Sequence, residues 1–109
     1  GLWHTVLDDP TTPLERSTAP LFAAAALKAR RLGLVPPEAG PSVDAMIQSA
    51  MRAVLEHVEP DGGLLVSSAT PVGGREIYAQ RDVGTYPWGQ GPLLLSLIES
   101  QRADTEDPS

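Results

Sequence analysis

Ser17-Thr18-Ala19-Pro20-Leu21-Phe22-Ala23-Ala24-Ala25-Ala26-Leu27-Lys28-Ala29-Arg30-Arg31-Leu32-Gly33 is the stretch on which the fold turns. Ser17 or Thr18 is placed to cap a helix, and Pro20 falls in the first turn, where a missing N–H costs nothing. The spacing predicts a helix over about 19–32. Its first half is apolar on every side, the mark of a helix buried all round rather than along one stripe. Four consecutive Ala suggest close approach by neighbouring backbones. Lys28, Arg30 and Arg31 complement the negative end of the helix dipole, and Gly33 suits a left-handed stop.

On the downstream side, residues 34–41 hold three Pro and a Gly and read as a connector. Ser42 then offers an N-cap, with Asp44 in the first turn. Val43, Met46, Ile47, Ala50, Met51, Val54, Leu55 and Val58 follow the i, i+3, i+4 rule, so this second helix is amphipathic and one-sided. Met46 and Met51 lie in its apolar stripe and read as packing, not as ligands. Residues 59–63 break the helix, and 64–70 read as a short strand. Residues 71–91 are Gly-rich and weakly patterned, yet hold both Tyr and one Trp, as functional loops do. A second mostly apolar helix follows over about 91–102, with Pro92 in its first turn, and residues 103–109 read as an acidic disordered tail.

On the upstream side, residues 1–7 alternate like a short strand or extended arm, and Asp8-Asp9-Pro10-Thr11-Thr12-Pro13 is a turn. The order of extended arm, buried helix and one-sided helix has a faint echo further along: Gly1-Leu2-Trp3 and Pro20-Leu21-Phe22 against Gly63-Leu64-Leu65 and Pro92-Leu93-Leu94. Units of this kind suggest an array of helical hairpins. The expected fold is therefore all-α, a partial α/α toroid with two buried inner helices, one amphipathic outer helix and short β arms over residues 1–102.

Composition narrows the function. In 109 residues, eight Lys plus Arg stand against fourteen Asp plus Glu, a net charge of −6, and no more than two bases are adjacent. Such a chain repels phosphate backbones, which argues against a nucleic-acid partner. The absence of Cys removes disulfides, thiolate metal sites and thiol nucleophiles. The longest apolar run, nine residues over 19–27, falls short of the ~20 needed to cross a bilayer, so no membrane partner is expected. Ten Gly, eleven Pro and only one Phe, two Trp and two Tyr leave a thin core that leans on something else. The first residues show no initiator Met and no secretory leader, so a fragment or processed piece, located in the cytoplasm, is expected.

Three blocks carry a resemblance to a known family. Gly1-Leu2-Trp3 with Val6-Leu7-Asp8 is similar to a Gly-Leu-Trp-Tyr arm. Leu14-Glu15-Arg16-Ser17 leads through Leu21-Phe22 and Leu27-Lys28 to Leu32-Gly33-Leu34, with Arg16 and Ala29 departing from the usual residues. Pro87-Trp88-Gly89-Gln90-Gly91, followed by Leu93-Leu94-Leu95-Ser96-Leu97 and Glu99, looks like a closing His/Trp-Gly-x-Gly helix. Together they resemble the carboxy-terminal part of the unsaturated uronyl hydrolases, glycoside hydrolase family 105 and the related family 88. The resemblance implies an (α/α)6 barrel that removes an unsaturated uronic acid from pectin-derived oligosaccharides, without metal or redox cofactor. A catalytic Asp initiates hydration of the sugar's double bond, unlike glycosidases whose two carboxylates flank the scissile bond. It also implies that this Asp lies upstream of the Gly-Leu-Trp arm, so no catalytic residue is expected in this chain.

The residues left to weigh are substrate contacts. Trp88 and Tyr86 could stack on a sugar face, Arg81 or Arg75 could pair with a carboxylate, and His4 could sit at a sugar rim. The plainer reading has Trp88 plugging a barrel end and the two Arg solvated. Asp8 and Asp9 fall in a turn where carboxylates accept backbone bonds. His4 and His57 have no partner at metal-ligand spacing, Gly89-Gln90-Gly91 is too short for a dinucleotide loop, and Ser17 is in no nucleophile elbow. Two readings remain: part of a hydrolase acting on oligosaccharides and inactive alone, or a non-catalytic domain that associates through its apolar helices. Either self-association or a missing amino-terminal part would cover those helices.

Overall fold

The computed structural model describes residues 1–106. Its elements run β1 (Trp3–His4), β2 (Leu14–Glu15), α1 (Thr18–Arg31), a 3-10 turn (Pro37–Ala39), α2 (Gly40–Glu56), β3 (Leu65–Ser67), α3 (Arg75–Ala79), β4 (Val83–Thr85) and α4 (Pro87–Glu106). Three long helices carry the mass. Two small antiparallel hairpins, β1–β2 and β3–β4, each precede one of them.

The connector between α1 and α2 is fixed by local chemistry. Gly33 has φ 71°, a left-handed conformation that suits glycine, and Gly33 N–H and Leu34 N–H donate to the carbonyls of Arg30 (3.0 Å) and Ala29 (2.9 Å). Arg30 then reaches Asp44 at 2.9 Å, joining the end of α1 to the start of α2 in an antiparallel pair. Ser42 does not cap: α2 begins at Gly40 on the preceding 3-10 turn, with Pro41 in its first turn, and so encloses Ser42. At the other end His57 follows the last turn, and its Nδ1–H donates to the Ala53 carbonyl at 2.7 Å.

Helix α1 lies between α2 and α4, and the core sits where they meet β3. Ala19 and Ala23 of α1, Ala50 and Val54 of α2, Val66 of β3 and Leu93 of α4 are buried together. Small residues on α1 allow the close approach that the Ala run suggests. The long axes measure 47 × 32 × 20 Å, with a radius of gyration of 15.1 Å, against ~13 Å for a compact domain of 100 residues. This is a slab of helices one layer deep.

That geometry corrects the expectation of helices buried all round. Helix α4 buries Gly89, Leu93, Ser96 and Glu99 while Leu94 and Leu95 stand 59% and 52% exposed. Helix α1 buries Ala19, Ala23, Ala24 and Leu27, with Leu21 and Phe22 52% and 51% exposed. Each helix buries one stripe, small residues and Leu27 on α1 and Leu93, Ser96 and Glu99 on α4, and turns its other large apolar residues outward, because a slab one layer deep leaves its broad faces uncovered even where α1 has a helix on either side.

Two boundaries also move. Helix α4 starts at Pro87, so Pro92 lies inside it and the Trp88–Gly91 segment is helical. It continues through Glu106, where the sequence places a disordered tail from Ala103; residues 107–109 of that tail lie outside the described residues. The stretch 71–91 contains α3 and β4, which the weak patterning hides.

Candidate functional site

Two contacts bring both hairpins to one end of the slab. Arg75 of α3, between β3 and β4, donates to Asp8 at 3.0 Å and meets Asp9 at 3.5 Å in the β1–β2 turn. At the far end Arg31 of α1 binds Glu99 of α4. Pinned at both ends, α1 and α4 run side by side in the same direction with their amino-terminal ends under the hairpins.

The first hairpin is organised by Thr12 and Glu15. Thr12 is buried; its hydroxyl donates to the Asp9 carbonyl at 2.7 Å and accepts from Val6 N–H at 3.2 Å. The Glu15 carboxylate accepts from Ser17 N–H, Thr18 N–H and both their hydroxyls, at 2.7–3.0 Å. Glu15 thus does the capping expected of Ser17 or Thr18, whose side chains make no cap bond of their own. Burial pushes the Glu15 carboxyl up, but the bonds from Ser17 and Thr18 outweigh it and hold the group below its ordinary value. Asp9 is lowered too, mainly by the Thr11 hydroxyl at 2.6 Å and the Thr11 N–H at 3.0 Å, with Arg75 and His4 adding to it. A carboxyl stabilised as its anion is a poor proton donor at neutral pH, so neither suits general-acid work.

The second hairpin places the other sequence candidates. Tyr86 and Trp88 stack with centroids 4.7 Å apart and planes 7° from parallel, and Trp88 Nε1–H donates to the Ser67 carbonyl at 2.9 Å. Trp88 is 42% exposed. Arg81 donates from Nε to the Pro71 carbonyl at 2.8 Å and covers the Tyr78 ring at 4.1 Å, so its partners are those of its own loop. Arg75 is engaged by the two Asp already described. The Trp-Gly-Gln-Gly segment is a seam: Gly89 passes β3 where a Cβ would lie 2.8 Å from a Val66 methyl, and the Gln90 amide accepts from Leu64 N–H and donates to the Gly62 carbonyl.

His4 goes elsewhere. It lines a cavity of about 270 Å³ with Trp3, Thr5, Leu7, Glu15, Thr18 and Phe22. Its Nδ1–H donates to the Thr12 carbonyl at 2.8 Å, which leaves Nε2 as an acceptor. Trp3 and Phe22 form the aromatic wall, centroids 5.3 Å apart and planes tilted by 39°. Sequence reasoning singled out His4 without Trp3 or Phe22. Their meeting depends on β1–β2 pairing, in which Trp3 faces Glu15 across a long turn, and such register is not written in local pattern. Among the described residues, no group of three or more His, Asp or Glu could hold a metal ion. Among the described residues, no helix is long and apolar enough to cross a membrane.

Comparison with known proteins draws these features together. The model of Glycosyl Hydrolase Family 88 matches residues 1–104. The chain belongs to that family. A curated relative, the unsaturated rhamnogalacturonyl hydrolase YesR of Bacillus subtilis (strain 168), is 33% identical over 105 residues. That alignment covers 91% of this chain and 27% of YesR, so the chain spans about a quarter of that relative's length. Solved structures agree. A possible member of the GH105 family from Salmonella enterica serovar Paratyphi A superimposes with a TM-score of 0.80 at 34% identity, covering 94% of this chain and 27% of that one. A GH105 candidate from Klebsiella pneumoniae gives 0.78 at 34% identity, over 94% and 26% of the two chains. The family 105 glycoside hydrolase of C. acetobutylicum gives 0.70 at 25%, over 92% and 31%.

Proposed function

We propose that the chain is the carboxy-terminal portion of an (α/α)6 toroid that releases unsaturated uronic acid from rhamnogalacturonan-type oligosaccharides by hydrating the sugar's double bond. The observation that carries this reading is the family match over residues 1–104, in a chain covering only 27% of a rhamnogalacturonyl hydrolase. In this reading α1 and α4 are inner staves, and their outward Leu21, Phe22, Leu94 and Leu95 pack against helices that precede Gly1. The hydrating Asp belongs to that preceding part. Asp9, Glu15 and Glu99 are all stabilised as anions by local bonds, which supports assigning none of them to proton donation. Trp88, stacked on Tyr86 and still partly exposed, and His4 are the substrate contacts this portion contributes; Arg81 and Arg75 hold the loop that presents them.

The test is a chimera in which this chain replaces the matching quarter of YesR. The chimera is expected to release unsaturated uronic acid from rhamnogalacturonan digests, and the 109-residue chain alone to release none. Turnover by the isolated chain, or a folded but inactive chimera, overturns the reading. The second reading, a non-catalytic helical domain, rests on the same exposed apolar faces; it predicts a stable homo-oligomer and no activity in the chimera.

A further inference from the structure

Most arginines of the chain are matched. Arg30 meets Asp44, Arg31 and Arg102 meet Glu99, Arg75 meets Asp8 and Asp9, and Arg81 has the Pro71 carbonyl and the Tyr78 ring. Arg52 stands exposed on α2, where water serves it. Arg16 is different. It stands between β2 and α1, it is half-buried, and its Nε lies out of reach of solvent with no acceptor. Among the described residues its guanidinium has no hydrogen bond and no ion pair. The neighbouring acid does not serve it, since both Glu15 oxygens accept from Ser17 and Thr18.

Position adds to the conflict. Arg16 lies just ahead of α1, where the aligned peptide dipoles present positive charge and a cation is repelled. A partly desolvated charge without a partner, at the unfavourable end of a helix, weakens the fold. Such breaks of local rules gather at functional sites. A ligand of opposite sign resolves this one, and a guanidinium matches a carboxylate through its paired N–H groups. Arg16 is at the end of the slab where the two hairpins meet, the end that also carries the partly exposed Trp88. We propose that Arg16 is a specificity-determining residue that pairs with the carboxylate of a saturated uronate, further along the oligosaccharide than the ring that is released. This rests on the reading of the chain as part of a rhamnogalacturonan-type hydrolase and deepens it: chains with a second uronate are favoured over the shortest substrate.

Arg16→Met keeps an unbranched stem and removes the charge. In the isolated chain it is expected to raise Tm by a few degrees, because nothing there pairs with the charge. A lowered Tm marks a packing role and overturns the proposal. Titrating the full chain with a saturated rhamnogalacturonan tetrasaccharide is expected to shift the Arg16 Nε–H resonance, and the carboxyl-reduced tetrasaccharide to leave it still. In the YesR chimera, Arg16→Met is expected to raise KM about tenfold for an unsaturated tetrasaccharide with kcat unchanged. For the unsaturated disaccharide, which has one uronate, neither constant is expected to move. Arg16→Lys keeps the charge without the fork and is expected to fall in between. Equal effects on both substrates overturn the proposal. So does a lower Tm of the substrate-free Arg16→Met chimera, which would make an acidic side chain the partner. An inactive chimera removes the hydrolase reading, and the titration then decides alone: a silent Arg16 overturns the uronate contact, and a response to the acidic sugar only sustains it.

Discussion

Arg31 and Glu99, sixty-eight positions apart, meet as a fork: Nε lies 3.2 Å from one carboxylate oxygen and Nη2 3.1 Å from the other. Glu99 is buried on the inner stripe of α4, and Arg102 approaches it at 3.3 Å from the next turn. The Arg31 bond, with Arg31, Arg102 and Lys28 charges behind it, holds the Glu99 carboxyl below its ordinary value despite desolvation. Two parallel bonds give this pair a directional hold that a lysine could not reproduce.

Glu99→Ala is therefore expected to lower Tm by several degrees, because it removes both bonds of the Arg31 fork and the Arg102 contact that tie α4 to α1 and to its own next turn. Arg31→Lys is expected to lose part of the same stability by replacing the fork with a single donor. Thermal unfolding followed by circular dichroism checks both.

Glu15→Ala removes acceptors for two N–H groups and two hydroxyls at the start of α1, and is expected to cost about 1–2 kcal/mol. Glu15→Gln keeps one acceptor oxygen and is expected to fall in between. Urea denaturation with an unchanged m value would separate loss of stability from a change of fold.

Both carboxyls also set a pH dependence. A carboxyl whose folded value lies below the ordinary 4.5 contributes stability that is full above that value. As pH falls through the lowered folded value, the contribution disappears. Stability of the wild-type chain is expected to be level from pH 7 to about 5 and to fall below 4.5, with a shallower fall in Glu15→Gln.

Gly89→Ala would bring a Cβ within 2.8 Å of one Val66 methyl and 2.9 Å of the other. Val66 is buried and β-branched, so it cannot swing aside; the expected cost is about 1–3 kcal/mol, read in the denaturant midpoint. Gly91→Ala, two residues on and open to space, is expected to be neutral or mildly stabilising in the helix.

Leu94→Glu combined with Leu95→Lys changes only exposed side chains of α4. The isolated chain is expected to associate through its outer face, and the double variant to shift toward monomer with helix content unchanged. Sedimentation velocity and circular dichroism read the two halves of that prediction.

The local signals carried far in some places and stopped short in others. Helix α1 was readable because Pro20, the Ala run and Gly33 each act within a turn of the chain, and the Gly33 stop has the left-handed φ of 71° expected of it. Strands β1 and β3 were readable from alternation. Their partners β2 and β4 were not, since Leu14–Glu15 and Val83–Thr85 owe their form to residues across a hairpin. The capping role of Glu15 was hidden because Ser17 and Thr18 are better caps by residue type, and the geometry instead makes them donors to Glu15. Of the candidate contacts, Tyr86 and Trp88 are brought together, His4 is carried to a separate cavity, and Arg75 and Arg81 are engaged by their surroundings.

Residue order alone dictates three long helices, the turn that ends α1 and the family to which the chain belongs, because these depend on neighbours a few positions apart or on motifs in sequence. Which side of each helix meets another is a different matter. The all-apolar run in α1 and the leucines of α4 carry no direction, so only packing decides that Ala19, Ala23 and Ser96 face inward while Phe22 and Leu94 face out. Burial energy depends on what lies opposite, and that partner is set by the assembled chain.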